Sequence, residues 1–187
     1  MREPLPRVEG KKVVLREFRL QDVPVIHAWV NDPLIVRFLF WAIFPQTQRE
    51  TERFVETQMS GEDPMNRAFV ISLRDNDLCI GTTGLIKIDW RNRSGELGIV
   101  IGNHDYLGKG YGKEAVDLLL GFGFNELNLH LVGLQVFDFN ERAIRSYQKS
   151  GLVEEGRLRE AFFREGDYHD IVLMGITEDQ FKAIKTS

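Results

Sequence analysis

Residues 105–115, DYLGKGYGKEA, put glycine at 108, 110 and 112, between the apolar run ELGIVIG (96–102) and the apolar run AVDLLLGFGF (115–124). Glycine costs stability in regular structure, so three of them between a strand-like and a helix-like run imply that something approaches that backbone. A helix start carries unpaired N–H groups and roughly half a positive charge. Glycines there let a phosphate reach the N–H groups with no Cβ in the way, and Lys109 and Lys113 add charge from the rim. One reading is therefore a pyrophosphate cradle. The other is a tight strand–helix turn with no ligand.

Two familiar phosphate templates do not fit. The P-loop needs four residues between its first glycine and Gly-Lys, whereas Gly102 is followed by five before Gly108 and Lys109, and residue 110 is Gly. The dinucleotide pattern needs glycine where Lys113 stands.

The rest of the chain bounds the answer. Its 187 residues suggest one domain, 1–187, with a core over about 11–176. At 43% hydrophobic and 28% charged it can bury a core. A net charge of −4 without a strongly basic stretch argues against a nucleic-acid partner. Cys79 is the single cysteine, so no internal disulfide or zinc cluster is expected, which fits a reducing, cytoplasmic setting. The start MREPLPRVEGKK has no apolar signal core, and the stretch LIVRFLFWAIF (34–44) is broken by Arg37, so no membrane partner is expected.

Periodicity predicts strands over 11–18, 67–73, 79–89, 96–102, 131–137 and 170–176, with a hairpin turn RDND between the second and third. It predicts helices after Asp22, read as a cap, from Thr47 with Glu50 at capping-box spacing, over about 110–126, over 140–151 ending at Gly151, and after Thr177 with Gln180. The order is a strand, two helices, a three-strand meander, then helix, strand, helix, strand. That is an α/β (α+β) fold with a mixed central sheet flanked by helices.

GKGYG after a strand, followed by KEA and a long apolar helix, resembles the coenzyme A signature of the GNAT superfamily of N-acetyltransferases. The signature, Arg/Gln-x-x-Gly-x-Gly/Ala, falls on Leu107, Gly108, Lys109, Gly110, Tyr111 and Gly112, with Leu107 departing from Arg or Gln. Asn140, Tyr147, the KSGL segment, Glu155-Gly156, and Gly166 with Asp170 are similar in order and spacing to the RimJ/RimL-type branch of ribosomal-protein N-terminal acetyltransferases, which spermidine acetyltransferases resemble. The resemblance implies the GNAT acyl-CoA fold and acetyl-CoA as co-substrate, with no metal. It implies that the 3′-phospho-ADP pyrophosphate rests on the backbone of residues 107–113.

Acetyl transfer to an amine needs a neutral amine, a stabilised oxyanion and a proton for the departing thiolate. Neutralising an α-amine of pKa near 8 at pH 7 costs about 1.4 kcal/mol, and a lysine-like amine near 10.4 costs about 4.6 kcal/mol. Glu96, opening the strand before the glycine run, is the base that the resemblance suggests, with Asp138 and Asp89 as further carboxylates for proton transfer or for a cationic acceptor. Tyr147 matches the family's acid toward sulfur. Asn140, seven residues or about 10.5 Å earlier on the same helix, matches a contact to the pantetheine arm. Tyr147 can instead be core, and Asn140 a helix cap. Ile99 and Ile101 are candidates to pair their backbone with pantetheine, Ile101 also as oxyanion donor.

His27, His104, His130 and His169 lack metal spacing, although His104 stands near the glycine run. On the acceptor side, Phe38, Phe40, Trp41 and Phe44 load the connection 31–46 with apolar surface, for an acceptor pocket, a homodimer contact or core. That segment holds no dense acidic patch, so a polyamine is not specifically supported and a peptide N-terminus or small amine is preferred, with spermidine, an amino sugar or an antibiotic amine as the alternatives. A non-catalytic acyl-CoA sensor is the alternative of another class.

Overall fold

A computed structural model describes residues 7–186; residues 1–6 and Ser187 of the expected 1–187 domain, and with them half of the stretch read for a signal core, lie outside the described residues. The strands are β1 (Val8–Glu9), β2 (Val13–Arg16), β3 (Arg67–Leu73), β4 (Cys79–Asp89), β5 (Ser94–Ile101), β6 (Leu131–Phe137), β7 (Val153–Arg164) and β8 (Asp167–Thr177). The helices are α1 (Val23–Trp29), α2 (Pro33–Val36), α3 (Gln48–Ser60), α4 (Tyr111–Gly121), α5 (Glu141–Lys149) and α6 (Glu178–Thr186). The described strands form one mixed sheet in the order β1-β2-β3-β4-β5-β6-β8-β7, antiparallel except where β5 meets β6.

Alternating side chains feed two cores, one on each face of the sheet. Val13, Leu15, Ile71, Leu85 and Leu97 pack against Val116, Leu119 and Leu120 of α4. On the other face Phe18, Val70 and Val100 meet Ile26 and Trp29 of α1 and Val55 of α3. Both capping boxes close as the sequence predicts, Thr47 with Glu50 and Thr177 with Gln180.

Four features differ from the sequence reading. β7 was not foreseen: VEEGRLREAFFR has no buried face to impose an apolar alternation, and most of its residues are exposed. The very short β1 and α2 lie below any periodic signal. The helix expected to reach 126 turns into a π-helix over Phe122–Glu126, where Gly123 packs closely on Leu85. Asp22 does sit at the N-cap of α1, but its carboxylate does not cap it. It takes a bidentate pair from Arg16 at 2.8 and 2.9 Å, and both side chains are buried. Arg16 also reaches Asp77 in the β3–β4 turn at 2.9 Å. A buried guanidinium needs this full set of acceptors to offset its lost hydration.

The parallel register of β5 and β6 runs only from Ser94–Leu131 to Glu96–Gly133. Beyond it β5 stays on β4 as far as Ile101, and β6 stays on β8 as far as Phe137. The sheet therefore splits, and the split opens toward the glycine run.

Candidate active site

The glycine run forms the mouth of the split. After Ile101 the chain makes a short turn over His104–Tyr106 and enters α4 through Gly110 as N-cap. Gly108 (φ 72°) and Gly110 (φ 88°) hold left-handed conformations that only glycine adopts cheaply. Gly112 has ordinary helical geometry; its Cβ would stand 3.4 Å from Ile101, so its role is close packing. A Cβ on Gly108 would meet nothing within 4 Å, leaving open space over that peptide. Gly102, before the run, lies under the Trp29 ring, which leaves no room for a Cβ.

The rim charges behave unequally. The Lys113 ammonium pairs with Asp117 at 2.6 Å, one turn along α4, so the charge it brings to the rim is shared with that carboxylate. Just before β2, the Lys12 ammonium donates to the Lys109 carbonyl at 3.2 Å and stands 5.5 Å over the Tyr111 ring. Glu114 accepts from the Lys12 backbone N–H at 2.7 Å. These contacts fasten the loop to β2. Tyr111 points into the core side, edge-on to Tyr106.

The wall of the split is the free edge of β5. Gly102 N–H donates to the Ile80 carbonyl, so Ile80–Gly102 is a hydrogen-bonded pair of the β4–β5 ladder. Such pairs alternate, which places Thr82–Val100 and Gly84–Gly98 in the same class. The amides of Ile99 and Ile101 therefore point away from β4, into the split, while their side chains pack toward α4.

Glu96 stands at the closed end of the split, on the face shared with Gly98 and Val100. Its carboxylate accepts from Lys87 at 2.8 Å; Lys87 sits at an irregularity in β4 with φ 51°. A Cβ on Gly98 would meet nothing within 4 Å, so the sheet surface beside Glu96 is open. Tyr147, on α5, packs against the opposite, α4-side core, and burial pushes its hydroxyl up to about 12. Asn140 caps α5 by accepting from the Ala143 N–H at 3.4 Å. Its amide also lines a cavity of about 450 Å³ that Leu107 bounds from the glycine run.

The residues expected on the acceptor side come from three separated stretches. Phe40 packs on Phe137 with ring centres 4.1 Å apart and planes tilted by 41°, and edge-on to Phe162 at 5.9 Å, and so joins the wall beyond β6. Trp41, 55% exposed, does not share that stack. Asp138 follows β6, accepts from the Phe139 N–H at 2.8 Å and lies 3.8 Å from His169. Asp89 accepts from Arg91 and Asn92 and serves its own turn. His104 is bonded to Asp32 at 2.6 Å, which holds that carboxyl below its usual range. Sequence reading missed Arg164, whose guanidinium donates to the Val36 and Ala42 carbonyls and fixes the 31–46 connection to the β7–β8 hairpin. Among the described residues no group of three or more His, Cys, Asp or Glu side chains is arranged to hold a metal ion, and no helix is long and apolar enough to cross a membrane.

Residues 12–153 match the acetyltransferase (GNAT) domain family. The spermidine N(1)-acetyltransferase of Vibrio cholerae is 31% identical, over 92% of this chain and 96% of that protein. The SPbeta prophage-derived uncharacterized N-acetyltransferase YokL of Bacillus subtilis is 29% identical, over 92% of this chain and 94% of its own. The crystal structure of spermidine N-acetyltransferase from Vibrio cholerae in complex with CoA and spermine superposes with a TM-score of 0.83 at 30% identity, covering 92% of this chain and 99% of that one.

Proposed function

The chain belongs to the acetyltransferase (GNAT) family, and from that premise we propose how its split sheet transfers acetyl from acetyl-CoA to a primary amine. The observation that carries the reading is the early end of the β5–β6 register, which leaves the Ile99 and Ile101 amides facing a gap. Pantetheine pairs there as an added strand, and the Ile101 N–H receives the developing oxyanion. The pyrophosphate rests on the peptides of Leu107, Gly108, Lys109, Gly110, Tyr111 and Gly112, with Lys113 at the rim. Asn140 holds the pantetheine arm with the amide nitrogen that its capping role leaves over.

The two faces of the sheet divide the proton work. Amine approaches over Gly98, where Glu96 takes its proton, directly or through water. The nitrogen attacks the thioester carbon, the C–S bond breaks, and the thiolate leaves toward the other face, where Tyr147 protonates it. A hydroxyl held up to about 12 keeps its proton at neutral pH and so remains a donor.

The acceptor we propose is a singly charged amine on a neutral or apolar body, a peptide N-terminus or small amine, bound by Phe40, Trp41 and Asp138. Residues 31–46 support this: their single carboxylate, Asp32, is engaged by His104, and Arg37 adds a cation. A polyamine is the second reading, favoured by the spermidine-acetylating relatives.

The test is acetyl-CoA-dependent thiol release with spermidine, amino sugars and short peptides of varied N-termini. Peptide or monoamine turnover at least tenfold above spermidine supports the reading, and the reverse order selects the polyamine. Acetyl-CoA binding without turnover on any amine would make the chain a sensor.

A further inference from the structure

The open surface beside Glu96 already holds one primary amine, and it belongs to the chain itself. The Lys87 ammonium donates to the Glu96 carboxylate at 2.8 Å. The local backbone puts it there. Leu85 and Ile88, three residues apart on β4, both enter the core under α4, so the strand carries one residue more than regular alternation allows. Ile86 is paired with Glu96 across the strands, and Lys87 follows it onto the same face. Lys87 has φ 51°, uncommon for a residue with a side chain. The loop before β3 holds it: the Lys87 N–H donates to the Asn66 side-chain oxygen at 3.4 Å, and the Ile88 N–H to the Met65 carbonyl at 2.9 Å. Backbone strain persists only where the surroundings over-determine it, and it gathers at functional sites. The side chain is 68% exposed, so the pair contributes little to stability, and a four-carbon stem leaves the amine free to swing. Gly98 keeps the surface next to the pair clear.

We propose that Lys87 is a self-acetylation site: when no outside amine is present, the enzyme transfers acetyl from acetyl-CoA to the Lys87 Nζ. This rests on the acetyl-transfer reading above, in which Glu96 takes the proton of the amine that stands over Gly98. Lys87 is the amine already on that carboxylate. Its ammonium gives one proton to Glu96, which passes it to solvent. The neutral Nζ attacks the thioester carbon, an N–C bond forms and the C–S bond breaks. The nitrogen loses its second proton as the thiolate gains one from Tyr147. The products are a neutral amide, the free coenzyme A thiol and one released proton. An alkylammonium gives up its proton less readily than an α-ammonium, so this transfer is slow beside turnover of a peptide N-terminus. It stops at one acetyl per chain. An outside amine has to displace Lys87 from Glu96 and thereby protects it.

The experiment incubates the full chain with acetyl-CoA carrying a deuterated acetyl group, with no added amine, and follows the label by intact mass and peptide mapping. The expected result is one acetyl on Lys87, formed at least about tenfold faster than on any other lysine. Its rate constant should hold over a wide range of protein concentration, because the reaction lies within one chain. Glu96→Gln should slow it to the level of the other lysines, and the amine that the enzyme turns over fastest should suppress it. Lys87→Arg keeps the cation on Glu96 and should lose the label while still acetylating that amine. Label spread evenly over the lysines, label at Lys87 that survives Glu96→Gln, or a rate that climbs with protein concentration overturns the proposal. Turnover of an added amine with Lys87 left unlabelled also overturns it, and leaves the acetyl-transfer reading intact. No thiol release with or without amines, in a folded sample that binds acetyl-CoA, overturns that reading and this proposal with it.

Discussion

The proposed donor and acceptor sides of the split are built from different material. The donor side is backbone: two left-handed glycines, a helix start and the free amides of one strand edge, all within residues 99–113. The acceptor side is side chains from three distant stretches, residues 31–46, 137–139 and 162–169, joined by aromatic stacking and by Arg164. Backbone sites demand particular residues at fixed offsets, whereas a side-chain wall accepts many compositions. The first is accordingly common to a family, and the second can differ between members that handle different amines.

The comparison breaks first at the chemistry between the two sides. Glu96→Gln and Tyr147→Phe are each expected to lower kcat about a hundredfold with acetyl-CoA affinity retained, measured by stopped-flow or steady-state thiol release. Because burial raises the Tyr147 hydroxyl from the ordinary 10 to about 12, this group stays protonated through pH 10. Its raised value also means that the folded state holds the proton more tightly than the unfolded one. Stability contributed by this group is therefore flat below pH 10 and falls between 10 and 12, and Tyr147→Phe should remove that alkaline decline. A loss of activity near pH 10 that disappears in Tyr147→Phe would place the titration two units too low.

Two glycines with open space above them then test the sides separately. Gly108→Val forces a β-branched residue to φ 72°, with strain on the order of 1–3 kcal/mol, and should weaken acetyl-CoA about thirtyfold in an isotherm. Gly98→Val meets no such strain and fills only the surface beside Glu96, so it should raise the KM of the amine about tenfold and leave acetyl-CoA affinity alone. If both substitutions move the same constant, the division into sides fails. The smallest effect is expected from Trp41→Ala, an exposed residue outside the Phe40–Phe137–Phe162 stack. A rise of about threefold in amine KM would keep Trp41 on the acceptor wall, and no change would assign it elsewhere.

The same contrast explains what could be read from the chain. β3 and β4 form where two apolar runs flank a polar turn, β6 alternates in burial, and α3 and α6 open at Thr47 and Thr177 where the boxes predict. Gly108 and Gly110 announced their backbone. β7 carried almost no burial signal, and its one local cue, the two-residue Glu165-Gly166 turn with positive φ at both positions, is less marked than Asn-Gly. The Arg16–Asp22 pair was hidden because either residue alone reads as surface charge, and only the fold brings them together in the core.

Amide hydrogen exchange at Ile99 and Ile101, with and without acetyl-CoA, tests the split most directly. The account predicts that both amides exchange faster than those of Gly98 and Val100 in the free protein, and that acetyl-CoA slows them selectively. Unchanged exchange at Ile99 and Ile101 in a protein that calorimetry shows to be saturated would mean that pantetheine does not enter between β5 and β6.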